Sequence, residues 1–220
     1  MRKVILTNDE IYHVFNRGVE KRPVFMDKRE YDRALLTLDF YRYLGVSPPL
    51  SQFLKLEKEK REFFLAQLKQ KDKKLVEILS FCLMPNHFHL LLKQQRDEGI
   101  RTFLSNFSNS YTKYFNIKRE RLGPLLQGSF KAVRIEDDNQ LIHVCRYIHL
   151  NPVTSLIIKE EELIDYPYTS LPEYLEKRVG FSKKDEIMAH FSSLKKFEDF
   201  IFDQIDYAKK LESIKHLVFE

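Results

Sequence analysis

Two apolar runs, Leu75 to Leu83 and His87 to Lys93, are separated by little more than Met84-Pro85-Asn86. A proline followed by an asparagine marks a turn, and apolar runs of this length on either side of it predict a β-hairpin with a short connection. Everything else must be arranged around that hairpin. Upstream, Ile11-Tyr12-His13-Val14-Phe15-Asn16 is β-branched and aromatic and stops at Arg17-Gly18, which predicts a strand and a loop. A helix follows: Asp27 caps it, Tyr31, Ala34, Leu35, Leu38 and Tyr41 recur at helical spacing, and Gly45 stands where a left-handed C-terminal residue is wanted.

Ser47-Pro48-Pro49 breaks the chain, and the Lys/Glu-rich segment 52–74, with Phe53, Leu56, Phe63, Phe64 and Leu68, predicts an inserted helix or helix pair that serves as scaffold. A second helix is expected over about 99–116. Lys131-Ala132-Val133-Arg134-Ile135 alternates like a strand after Gly123-Pro124 and Gly128. Asp137 or Asp138 then caps a third helix, which Asn151-Pro152 is expected to end, because the residue before proline is pushed out of the helical region.

The order β-α-β-β-α-β-α predicts an α+β fold: a ferredoxin-like βαββαβ core with a mainly antiparallel sheet and one helix added after the last strand. Residues 160–220 hold Tyr166-Pro167-Tyr168 and then acidic, amphipathic stretches such as Leu194 to Leu211. The expected division is a catalytic domain over 1–155, with the charged insertion at about 46–74, and a helical C-terminal appendage over 156–220.

Composition narrows the function classes. With 43% hydrophobic residues, 18 Phe, 11 Tyr and only 6 Gly in 220 residues, the chain is neither disordered nor fibrous. Two cysteines, Cys82 and Cys145, make no disulfide framework and lack metal-ligand spacing, so they are expected in the core of a protein from a reducing compartment. No apolar run is long enough to span a bilayer, and the N-terminal MRKVILTNDEIYH is too short in apolar residues for a signal peptide. The expectation is a soluble, cytoplasmic protein with no membrane partner.

The net charge of +5 is unevenly spread, with 26 Lys and Arg against 15 Asp and Glu in residues 1–134 and 11 against 17 in 135–220. The densest basic stretch, 100–134, interleaves Arg101, Lys113, Lys118, Arg119, Arg121, Lys131 and Arg134 with Asn106, Ser108, Asn109, Ser110, Tyr111, Tyr114 and Phe115. Such a mixture supplies phosphate contacts and aromatic faces on which unpaired bases stack, although a merely solvated helix face has the same composition. Arg17 at the end of the first strand joins the expected nucleic-acid-binding set.

Two features carry chemistry. In His87-Phe88-His89 the period of a strand points both imidazoles to one face, where they are able to chelate a metal. On the third helix Gln140, His143, Tyr147 and Asn151 share one face, while Leu141, Val144, Cys145 and Ile148 form the apolar one. A metal held by the two histidines and the Asn151 amide would therefore lie close to the Tyr147 oxygen. A rim tyrosine with a capping asparagine is the plainer alternative.

At these residues the sequence resembles the single-tyrosine HUH transposases of short insertion sequences, and especially the REP-associated tyrosine transposases. The resemblance rests on Tyr12-His13-Val14-Phe15-Asn16-Arg17-Gly18, on Phe81-Cys82-Leu83-Met84-Pro85-Asn86-His87-Phe88-His89-Leu90-Leu91-Leu92 and on Arg146-Tyr147-Ile148-His149-Leu150-Asn151-Pro152-Val153, and it extends over about residues 11–170. It implies that His87, His89 and Asn151 are ligands of a divalent metal, Mg²⁺ or Mn²⁺, and that Tyr147 is the nucleophile. Classical insertion-sequence members carry glutamine where this chain has Asn151. That variant resembles the REP-associated branch and leaves open whether the chain is a monomer or a homodimer.

The implied activity is that of a metal-dependent DNA transposase and single-strand endonuclease. It would cleave and rejoin single-stranded or hairpin DNA through a 5′-phosphotyrosine, and the retained phosphodiester energy would let a 3′-OH reverse the attack without ATP. A free phenol ionises at about pH 10, so the tyrosine needs the metal or a base, and His143, one turn before it, is the candidate base. Imidazole ligands also suit Zn²⁺, so ligand type alone does not select the metal. Tyr111 and Tyr114 are rival nucleophiles. A catalytically inactive single-strand-binding protein on the same fold and a zinc hydrolase using water are the alternatives from other classes.

Overall fold

The structure, a computed structural model, describes residues 4–203 and 205. Four strands, β1 (Ile11–Arg17), β2 (Val76–Met84), β3 (His87–Gln94) and β4 (Lys131–Arg134), form one sheet in the order β2-β3-β1-β4. Every neighbouring pair is antiparallel. This is the ferredoxin-like arrangement, with β1 and β2 parallel to one another and β3 inserted between them. The turn between β2 and β3 is Pro85-Asn86, as the sequence predicts. Gly18 closes β1 because any Cβ there would lie 2.2 Å from the Arg22 carbonyl oxygen.

The strand period divides the side chains between two cores. Tyr12 and Val14 of β1 and Phe88, Leu90 and Leu92 of β3 are buried against α1 (Lys28–Tyr41) and α4 (Gly99–Lys118). On the opposite face Cys82, Met84 and Leu91 are buried under α5 (Asp138–Thr154), whose Leu141, Cys145 and Ile148 supply the other side of the contact. The inserted segment is a helix pair, α2 (Leu50–Phe53) and α3 (Lys58–Lys71), and packs through Phe53 and Phe64 on Phe40. Cys82 and Cys145 are both free and buried.

Side-chain caps start the helices where the sequence places them. Asp27 accepts from the Glu30 amide at 3.1 Å, and Asp137 accepts from the Gln140 amide at 2.7 Å. Gly45 has a left-handed φ of 62°, but it lies in the turn beyond the end of α1 rather than in the helix cap itself.

One expectation is overturned. Helix α5 does not end at Asn151-Pro152 but continues to Thr154 with Pro152 inside it. A proline in the interior forfeits a backbone hydrogen bond and costs a helix about 3 kcal/mol. Here Leu150, 2% exposed, and Val153, 1% exposed, bury that last turn in the second core, and tertiary burial outweighs the local preference. The consequence for the site is that Asn151 stays helical, one turn from Tyr147.

After α5 the chain returns along the outer edge of β2. The Leu83 amide donates to the Tyr168 carbonyl at 2.8 Å, and the Ser170 amide donates to the Phe81 carbonyl at 3.0 Å, so that edge is not left open to another chain. Three short helices, α6 (Leu171–Tyr174), α7 (Asp185–Met188) and α8 (Leu194–Phe202), complete the second core through Tyr174, Ile187, Phe197 and Ile201. Of the amphipathic stretch expected to run to Leu211, residue 204 and residues 206–211 lie outside the described residues. Among the described residues no helix is long and apolar enough to cross a membrane.

Candidate active site

The first strand and the hairpin strand meet in a register that gathers histidines. Phe15 is paired with His89, Arg17 with His87 and His13 with Leu91, so His13, Phe15, Arg17, His87 and His89 all project to the face that α5 covers. On that face the His87 and His89 rings stand 5.0 Å apart and perpendicular. The Tyr147 ring meets His89 edge-on at 5.4 Å and His13 edge-on at 5.9 Å. Tyr147 is 38% exposed, which leaves the phenol accessible from solvent.

Hydrogen bonds fix the rings. His87 Nδ1 is 2.6 Å from Asn86 Oδ1, an oxygen that only accepts, so the ring carries its proton on Nδ1 and its lone pair on Nε2. His89 Nδ1 is 2.9 Å from His13 Nε2. Burial pushes the His13 imidazole down to about 4, so it is neutral at pH 7. Asn151, 4% exposed, turns its amide nitrogen to the Tyr147 carbonyl at 3.4 Å, which leaves Oδ1 as the atom with ligand capacity.

This donor set suits a divalent metal: two imidazoles whose Nδ1 atoms are already engaged, and an amide oxygen one helical turn from the tyrosine. Among the described residues no group of three or more His, Cys, Asp and Glu side chains is placed to hold a metal. A metal at this site therefore depends on the Asn151 oxygen as well as on the two histidines.

His143 is engaged by Arg146 of its own helix and by Phe200 of α8. Its Nδ1 lies 2.7 Å from an Arg146 guanidinium nitrogen, and its ring lies against Phe200 at 5.4 Å. A guanidinium is a donor only, so the single lone pair of a neutral His143 is spent on a cation. That contact with a cation speaks against His143 as the general base. Burial first, and the Arg146 charge second, hold its pKa below the ordinary histidine value.

The rival tyrosines are also displaced. Tyr111 is 1% exposed, donates to the Val24 carbonyl at 2.6 Å and is pushed far above the usual phenol range by burial. Tyr114 lies under the Arg33 guanidinium at 5.1 Å. Both belong to α4, on the opposite face of the sheet from Tyr147. Phe115, 3% exposed, is core as well, so neither it nor Tyr111 offers a face to a base.

The basic residues divide by environment. Lys118 and Arg119 are tied to Asp27 and to the fully buried Glu30, with Arg119 Nε 2.7 Å and Lys118 Nζ 3.1 Å from its Oε1. They fasten the end of α4 to the start of α1. Arg101 pairs with Glu98 at 3.0 Å, Arg134 pairs with Glu10 at 2.7 Å, and Arg121 donates to Asn116 Oδ1 at 2.6 Å. Among the described residues Arg17, Lys113 and Lys131 have no ion-pair partner. Lys113 lines a hollow of about 740 Å³ on the α4 side with Asn109, Asn116, Ile117, Arg121 and Leu122. Lys131, opposite Phe15 in the sheet register, and Arg17, opposite His87, are on the tyrosine side.

Sequence reasoning missed His13 and Asn86. The two-residue period already places His13 and Phe15 on one face of a strand. Their meeting with His89 depends on the β1–β3 register, which a single sequence does not disclose.

Three comparisons bear on this geometry. Residues 53–151 match the family model described as "Transposase IS200 like". No curated protein matches the chain significantly. Among solved structures, one of a REP-associated tyrosine transposase bound to a REP hairpin superposes with a TM-score of 0.51 at 15% identity, covering 80% of this chain and 86% of that one. That likeness establishes a shared fold. The matched segment, which holds His87, His89, Tyr147 and Asn151, is similar to the IS200-like transposases and spans less than half of the chain.

Proposed function

We propose that this protein is a DNA transposase of the single-tyrosine type, which cuts and rejoins single-stranded, hairpin-associated DNA through a 5′-phosphotyrosine on Tyr147. The observation that carries the reading is the contact of an exposed phenol with the His89 ring at 5.4 Å, on a helix whose next turn offers the Asn151 amide. The hairpin-bound state of the structural neighbour supports DNA of that kind as the partner.

The Tyr147 oxygen attacks the phosphorus of the scissile phosphodiester, and its proton passes to solvent at the exposed ring edge. The P–O3′ bond breaks, the leaving oxygen takes up a proton as a free 3′-OH, and the 5′-phosphate stays on the tyrosine. Attack by another 3′-OH on the same phosphorus reverses these steps and joins strands. His87, His89 and Asn151 would hold a Mg²⁺ or Mn²⁺, which would supply electrostatic stabilisation of the charge on the phosphoryl oxygens. Arg17 and Lys131 flank the site and hold the approaching strand by its phosphates.

The test is incubation with a single-stranded hairpin oligonucleotide and Mn²⁺, followed by a denaturing gel. Wild type yields cut DNA and a protein band shifted by covalent DNA, and Tyr147→Phe yields neither. Cut DNA without any protein-linked fragment would replace the tyrosine by water and overturn the proposal.

A further inference from the structure

Neither metal-ligand assignment explains why a third imidazole stands on the same sheet face. His13 reaches His89 from the neighbouring strand: the rings are 5.1 Å apart and inclined by 26°, and the Nε2-to-Nδ1 distance is 2.9 Å. A neutral imidazole has one N–H and one lone pair, and which nitrogen carries which decides whether the ring is able to bind a cation at a given atom. For His89 to present its lone pair at Nε2, its proton must sit on Nδ1 and find an acceptor. The Asn86 oxygen does this for His87 from within the hairpin turn. At His89 the atom that stands 2.9 Å from Nδ1 is His13 Nε2.

We propose that His13 is a positioning residue: it accepts the His89 Nδ1 proton and thereby holds His89 in the tautomer and ring orientation that bind the metal. Its place on β1 is what makes this possible. The register sets His13 beside Leu91 and diagonal to His89, so the strand alternation that buries Tyr12 and Val14 on one side delivers the imidazole on the other. His13 also touches the Tyr147 ring at 5.9 Å, so the same side chain borders both the ligand and the nucleophile. The role rests on the metal site of the proposed function, and it assigns β1 a part in the chemistry although the matched family segment begins at residue 53.

Mn²⁺ titration by calorimetry, with pulsed electron paramagnetic resonance counting the imidazole nitrogens on the bound ion, tests the role without reference to DNA cleavage. His13→Leu keeps an apolar side chain of similar bulk and removes the acceptor, and is expected to weaken Mn²⁺ binding about 10- to 100-fold. His13→Gln returns an acceptor oxygen at similar reach and is expected to recover most of the affinity, with two coordinated imidazoles as in wild type. Wild-type affinity in His13→Leu would overturn the role, and so would loss of one coordinated imidazole in His13→Gln, since His13 would then be a ligand itself. A wild-type chain that binds no Mn²⁺ would overturn the metal site of the proposed function and the His13 role with it. Binding in wild type with equal binding in His13→Leu would overturn the His13 role alone.

Discussion

The helix that carries Tyr147 is anchored by a buried histidine, and acid should loosen that anchor by a calculable amount. His149 is fully buried, lies 2.8 Å from Ser170 Oγ through Nε2, and packs edge-on against Tyr174 at 5.0 Å. Burial lowers its pKa from 6.5 to about 3. The unfolded chain therefore binds a proton near pH 6.5 that the folded chain refuses until much lower pH. The stabilising contribution is complete above pH 6.5 and is lost progressively as the pH falls toward 3. At pH 5 the solution is about 1.5 units below the unfolded pKa, which at about 1.36 kcal/mol per unit amounts to about 2 kcal/mol.

The perturbation is a shift from pH 7.5 to 5.0 in wild type and in His149→Gln, which keeps a polar group near Ser170 but does not titrate. Urea unfolding in the presence of a chelator measures both. Wild type should lose about 2 kcal/mol more than the variant over this interval. His13, lowered to about 4 by burial, contributes in the same direction to both proteins and cancels from the difference. Equal losses in the two proteins would refute the reasoning, because His149 would then not be a neutral buried group.

Other perturbations separate structural cations from DNA-binding ones. Lys131→Ala and Arg17→Ala should each reduce the slope of log affinity against log salt for single-stranded DNA by about 1, measured by fluorescence anisotropy, with no change in thermal stability. Arg119→Ala should leave that slope unchanged and instead destabilise the fold by about 1–3 kcal/mol, because a hydrogen bond to the fully buried Glu30 carboxylate is lost. Tyr111→Phe should retain full DNA cleavage in a gel assay, since its hydroxyl is committed to the Val24 carbonyl on the far side of the sheet.

The parts of this architecture that local chemistry dictates are legible in the chain. The Pro85-Asn86 turn, the Asp27 and Asp137 caps and the alternation in β1 each lie within a few residues, and together they lead to the four-stranded order β2-β3-β1-β4. The pair His87 and His89 and the spacing from Tyr147 to Asn151 are legible for the same reason. What depends on distant packing is not. Pro152 looks like a stop signal until the burial of Leu150 and Val153 is known. Lys118 and Arg119 look like DNA contacts until Glu30, 88 residues before Lys118, is found beneath them. His143 looks like a base until Arg146 takes its lone pair, and His13 is invisible as a partner of His89 until the strand register is fixed.

The central claim is that one particular oxygen becomes bonded to DNA. The most direct measurement is mass spectrometry of the peptides from protein trapped with a hairpin oligonucleotide in Mn²⁺ and digested with nuclease and protease. A nucleotide remnant attached through phosphate to Tyr147 is the predicted result. A remnant on any other residue, or efficient strand cleavage with no modified peptide, would contradict the account.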